Sequence, residues 1–150
     1  MSERLILAID TSFGPVAATL ATTDGRTVGR IEADNPAGTQ AETLPPLVAR
    51  LFQGRDFKQL ARVAVTVGPG AFTGVRVGLA FAKGLRLATG AEVLGYSTLD
   101  CLAAQAAVHG GDSIAAVIDA KRGEVYVQAF SRSMAPLCER STAPVATSRP

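Results

Sequence analysis

The chain has 150 residues, enough for one ordinary domain or for one lobe and part of a second. Hydrophobic residues make up 47% and charged residues 19%, which excludes a disordered tail or a coiled coil. The formal net charge is +2 with no basic block, so there is no electrostatic footprint for direct nucleic-acid binding.

The first residues move straight into a strand pattern with no signal-peptide layout, and no apolar run nears the ~20 residues of a membrane span. Both point to a cytoplasmic protein without membrane contact. Residues 5–9 form a short apolar run that ends in a turn cluster, Asp10-Thr11-Ser12-Phe13-Gly14-Pro15. Residues 16–21 read as a second strand, and Asp24-Gly25 turns the chain into a third over 27–32. After a break at 34–38, Leu44, Leu47, Val48 and Leu51 recur at helical spacing over 39–52, with Pro45 and Pro46 near the start. Residues 63–67 are a β-branched strand bounded by Gly68-Pro69-Gly70. A second helix is predicted over 73–88, a strand near 93–95 and a third helix over 98–108. Residues 114–118 and 125–130 alternate around a turn at 120–123, another hairpin. Residues 131–150 lack periodicity, are rich in Ser, Thr, Ala and Pro, and read as a mobile tail. The order β-β-β-α-β-α-β-α-β-β implies an α/β fold, a mixed sheet with helices packed against it.

Gly68, Gly70, Thr73 and Gly74 follow a strand and open a helix, which Thr73 is expected to cap. Backbone N–H groups there can hold an anion, or the glycines can make a tight turn that lets the helix approach the sheet. The spacing is neither a Walker loop nor a dinucleotide fingerprint. Asp10, Thr11 and Ser12 could stand beside a phosphate or a hydrated Mg²⁺, or could tie up turn amides. Cys101 and Cys138 lie far apart, without metal-ligand spacing, and His109 is the only histidine, so no metal site is expected.

The helix over 73–88 carries the most information. At about 100° per residue, Gly74, Val77, Gly78, Phe81, Ala82, Leu85 and Ala88 share one face. The other side carries Arg76, Lys83 and Arg86, with Leu79, Ala80 and Leu87 among them. Gly78 and Gly84 each cost about 1 kcal/mol relative to alanine inside a helix. Packing on the sheet accounts for Gly78. The outward apolar residues fit a contact with another molecule; the alternative is a core helix enclosed by its own chain.

The segments Ile6-Leu7-Ala8-Ile9-Asp10-Thr11-Ser12, Gly68-Pro69-Gly70-Ala71-Phe72-Thr73-Gly74-Val75-Arg76-Val77-Gly78, Tyr96-Ser97-Thr98-Leu99 and Ile118-Asp119-Ala120-Lys121-Arg122-Gly123-Glu124-Val125-Tyr126 resemble the successive signatures of the TsaB (YeaZ) family. The resemblance implies an actin/Hsp70/sugar-kinase-like (ribonuclease H-like) fold, with an N-terminal lobe over 1–110, the start of a second, incomplete lobe over 111–130 and a tail over 131–150. It also implies a non-catalytic subunit that helps install threonylcarbamoyl on adenosine next to the tRNA anticodon. Its partners would be the catalytic paralogue TsaD and the ATPase TsaE, with tRNA met only through the complex. No cofactor is expected of this chain, ATP belonging to a partner or a shared site. Two features depart from the family: its His-Ser-Glu triplet reads Gln40-Ala41-Glu42 here, and the family continues beyond this length.

The resemblance further implies that the helices over 39–52 and 73–88 lie side by side and meet two helices of TsaD. The expected interface is Leu44, Leu47, Val48, Leu51, Arg76, Leu79, Ala80, Lys83, Arg86 and Leu87, with self-pairing into a dimer when the chain is alone. Three other functions compete with this reading. A metallopeptidase of this fold needs two histidines at helical spacing plus a carboxylate, and His109 alone cannot supply them. A phosphotransferase of the same fold needs a second lobe with glycine-rich nucleotide loops. A purely structural homodimer module would need the helix face alone.

Overall fold

The computed structural model describes residues 3–34, 39–107 and 111–145. His109, Val108 at the end of the third predicted helix, the break at 35–38 and residues 146–150 lie outside the described residues. The chain divides into two compact units, Met1–Tyr96 and Ser97–Pro150.

The first unit runs β1 (Leu5–Asp10), β2 (Val16–Thr22), β3 (Thr27–Ala33), α1 (Gln40–Leu51), a 3₁₀ turn (Phe57–Gln59), β4 (Leu60–Thr66), α2 (Phe72–Thr89) and β5 (Glu92–Tyr96). Its sheet has the order β3-β2-β1-β4-β5. β1, β2 and β3 pair antiparallel, whereas β1, β4 and β5 are parallel. This is the mixed sheet that the hairpin followed by strand–helix alternation implied. The β2–β3 turn is made by Gly25 at φ +96° and by Asp24. The Asp24 carboxylate accepts a hydrogen bond from the Thr22 hydroxyl, which holds its carboxyl below the ordinary range.

Alternate side chains of the strands build the core. Leu5, Leu7 and Ile9 of β1, Val16, Ala18 and Leu20 of β2, and Val63 and Val65 of β4 are buried together with Leu44, Leu47 and Val48 of α1 and Ala82 of α2. α1 and α2 lie against each other as well as against the sheet. This corrects part of the expected partner surface. Leu44, Leu47 and Val48 are buried against the sheet, and Leu51 and Leu79 are half-buried on the same cluster. A 12-residue helix with one apolar stripe gives that stripe to its own sheet, leaving none for a partner. Pro45 and Pro46 are the sixth and seventh residues of α1, deeper in the helix than the sequence suggested.

The second unit contains α3 (Thr98–Ala107), β6 (Ser113–Lys121), β7 (Glu124–Ser131) and β8 (Ser141–Pro144), with the sheet order β6-β7-β8, antiparallel throughout. Leu99 and Ala103 of α3 pack on Ala116, Ile118 and Phe130. α3 therefore belongs with this unit, whereas the sequence reading carried the first lobe to residue 110. The stretch read as a tail also differs from expectation. Leu137 N–H donates to Ala129 O at 2.8 Å, and β8 pairs with β7, Val125 facing Ala143. β8 is a mostly exposed strand of four residues, too short to show an apolar period.

The two interior glycines of α2 should respond oppositely to alanine. A Cβ on Gly78 would lie 2.6 Å from Thr11 Oγ1 and 3.3 Å from Val65 Cγ2, whereas one on Gly84 meets nothing within 4 Å. Gly84→Ala is expected to raise stability by about 1 kcal/mol and Gly78→Ala to lower it by about 1–3 kcal/mol. Urea unfolding of the two variants checks this, and changes of the same sign would contradict the packing described.

Candidate functional site

β1 and β4 are parallel neighbours, so their carboxyl ends, Asp10 and Thr66, emerge together at the edge where open α/β sheets place ligands. Asp10 Oδ1 accepts three hydrogen bonds: from Thr66 Oγ1 at 2.7 Å, Ser12 N–H at 2.8 Å and Ser12 Oγ at 2.7 Å. Thr66 is buried, and the Asp10 carboxylate therefore joins the turn after β1 to the end of β4.

The same turn is clamped to the start of α2. The Thr11 hydroxyl donates to Gly74 O at 2.7 Å, and Ala71 N–H donates to Ser12 O at 2.7 Å. The approach is close enough to require glycine. A Cβ on Gly70 would stand 2.2 Å from Ser12 O, and one on Gly74 1.9 Å from Thr11 O. Gly68 has φ +93°, in the left-handed region. Asp10, Thr11, Ser12, Gly68, Gly70 and Gly74 thus form one corner. Thr73 does not cap the helix as expected: the N-cap is Ala71, without a side-chain cap bond, and Thr73 is exposed as the second helical residue. The Ser12 carbonyl has already taken the Ala71 amide, which starts the helix earlier.

A helix N-terminus attracts anions through its free N–H groups. Here the space beside Gly70 and Gly74 is filled by the carbonyl oxygens of Ser12 and Thr11. The glycines serve the approach of two backbones, the turn reading of the sequence.

The outward side of α2 carries Phe72, Arg76, Ala80, Lys83, Arg86 and Leu87, all exposed. Phe72 is 69% and Leu87 89% exposed, and the Arg76 guanidinium stacks 3.8 Å above the Phe72 ring. Sequence reasoning missed Phe72, which it placed before the helix, and Thr66. The signal for Thr66 was a hydroxyl closing a β-branched run, in register with the Asp10 strand.

The family model described as TsaD, tRNA N6-adenosine threonylcarbamoyltransferase, matches residues 37–144. The tRNA threonylcarbamoyladenosine biosynthesis protein TsaB of Escherichia coli (strain K12) is 35% identical over 130 residues, 85% of this chain and 55% of that protein. YeaZ from Pseudomonas aeruginosa superposes with a TM-score of 0.84 at 31% identity, covering 98% of this chain and 72% of that chain. The chain belongs to the TsaB (YeaZ) family. It spans about half the length of the curated TsaB relatives it matches. The ethanolamine utilization protein EutJ of Carboxydothermus hydrogenoformans, 15% identical with a TM-score of 0.56 over 97% of this chain and 54% of that chain, shares the fold. The fold is the actin-like α/β fold expected from the TsaB signatures. Among the described residues, no helix is long and apolar enough to cross a membrane.

The Asp10–Thr66 bond should prove structural and coupled. Thr66→Val is expected to cost about 1–2 kcal/mol in the native chain and close to nothing once Asp10→Ala is present. A double-mutant cycle in urea checks the coupling; additive losses would show that the two groups act separately.

Proposed function

We propose that the protein is a non-catalytic partner subunit in the biosynthesis of threonylcarbamoyladenosine in tRNA, docking through the outward side of α2 onto a TsaD-like catalytic protein. The matched relatives carry the name of that pathway. The observation that carries the docking surface is the exposed strip from Phe72 to Leu87. Burying a side chain such as Leu87 or Phe72 is worth about 2 kcal/mol, a reward the isolated unit does not collect. Ala80 and Gly84 lie between these two anchors and leave room for a partner helix. Arg76, Lys83 and Arg86 would set its orientation more than its affinity. Without the partner, the same strip pairs with a second copy as an isologous dimer. TsaE joins through the complex, and the main sites for tRNA and ATP belong to a partner or are shared with one.

The non-catalytic role is supported by the Asp10 corner. One oxygen of the Asp10 carboxylate, Oδ1, is engaged by three internal donors, which gives Asp10 a structural use, and carbonyl oxygens face the helix start.

Size-exclusion chromatography with the TsaD of the same organism tests the surface. Ala80→Glu and Leu87→Glu should keep the circular dichroism of the native chain and abolish the complex. Wild-type affinity in both variants would remove α2 from the interface. Leu79→Glu, the probe a helical wheel favours, would test folding instead, because Leu79 packs on the core. ATP hydrolysis by the chain alone, lost in Asp10→Ala, would overturn the non-catalytic reading.

A further inference from the structure

The β6–β7 hairpin puts long cationic side chains where its backbone favours small ones. Lys121 and Glu124 close the hairpin, leaving Arg122 and Gly123 as a two-residue loop. Arg122 has φ +57° and Gly123 φ +78°, the left-handed pair of a type I′ turn, whose preferred residues are Asn-Gly. Lys121 is also left-handed at φ +68°, next to the register shift between Asp119 and Lys121. Two successive non-glycine residues in this region are strained, and such strain is retained where the side chains have work to do.

Asp119 shows how the strain is held. Its Oδ1 accepts the Lys121 N–H at 2.7 Å and its Oδ2 the Lys121 ammonium at 3.2 Å, pinning the backbone and neutralising that cation. Arg122 is left at the tip, exposed, with no ion-pair or hydrogen-bond partner among the described residues. The turn therefore neutralises one cation and presents the other. A guanidinium offers a rigid two-pronged donor that matches the oxygens of a phosphate.

We infer that the Asp119–Gly123 turn is a phosphate contact in which Arg122 is the recognising residue and Asp119 and Lys121 are positioning residues. The phosphate belongs to an RNA backbone or to a nucleotide. The site lies in the second unit, and the assignment is independent of the α2 docking surface.

Arg122→Asn separates this role from a structural one, because it installs the pair that the turn prefers while deleting the guanidinium. The melting temperature is expected to rise by about 4 °C. Binding is read at low salt by fluorescence anisotropy with an unmodified tRNA transcript and by calorimetry with ATP, each against the full chain. One of the two ligands should bind about tenfold more weakly to the variant. If it is tRNA, the slope of log K against log salt should also fall by about 1, and the phosphate is the RNA backbone's. If it is ATP, the phosphate is the nucleotide's. Arg122→Lys keeps the charge and the backbone demand and should still lose several-fold. Arg132→Ala, the same charge change at another exposed arginine, should leave binding unchanged. The assignment fails if the wild-type chain binds neither ligand, if Arg122→Asn binds both as wild type does, if Arg132→Ala weakens binding equally, or if Arg122→Asn melts lower.

Discussion

The first unit depends on a clamp between the turn after β1 and the first residues of α2. Two carbonyl oxygens, of Thr11 and Ser12, stand where Cβ atoms would be if Gly74 and Gly70 were any other residue. Into the same corner run the Thr11 hydroxyl bond to Gly74 O and the three bonds that end on Asp10 Oδ1. A parallel pair such as β1 and β4 has no tight turn to fix its register, so the bond from Thr66 to Asp10 ties the two strand ends directly. The clamp also sets the rotation of α2. With Gly74 and Gly78 held toward Thr11, the residues half a turn away, Arg76, Ala80 and Leu87 among them, are turned to solvent. Internal packing and the proposed docking surface thus have one cause.

That link explains what the sequence could and could not tell. Strand alternation in 5–9 and 16–21, the Asp24-Gly25 turn and the glycine pattern of 68–74 gave the mixed sheet, because burial and turn geometry are written locally. The sheet-facing side of α2 was legible too, through Gly74, Gly78 and Ala82. α1 was harder. Leu44, Leu47, Val48 and Leu51 are all the apolar residues of one stripe, and periodicity alone does not say whether sheet or partner receives it; the sheet does. Leu79 was misjudged because a helical wheel reads angle and takes no account of how far the sheet and α1 curve around the helix. Thr66 could not be assigned from spacing, since its partner is 56 residues away and a strand-end hydroxyl has many uses. β8 was lost for want of length.

The two units use glycine and strain for opposite ends. In the first, missing side chains let backbones meet, and the resulting contacts are internal. In the second, the hairpin tip accepts an unfavourable backbone so that side chains can stand clear. Family resemblance gave both motifs equal weight, as successive signatures. Their physics separates them: one is buried architecture, and the other is displayed.

The proline pair of α1 bears on the order in which the unit assembles. Pro45 and Pro46 have no N–H to give to the carbonyls of Ala41 and Glu42, four residues back, and each is disfavoured by about 3 kcal/mol relative to alanine in a helix interior. A helix of 12 residues in water has no surplus to offset that. Its helicity must be borrowed from burial of Leu44, Leu47 and Val48, and that burial exists only once β1, β2 and β4 present a surface. In the folding transition state α1 is therefore expected to arrive late, and φ-values measured along its length should lie near zero. The sheet and α2, joined through the Asp10 corner, are the expected nucleus onto which it condenses. A chain with that order of events slows its unfolding, more than it speeds its folding, when α1 is strengthened.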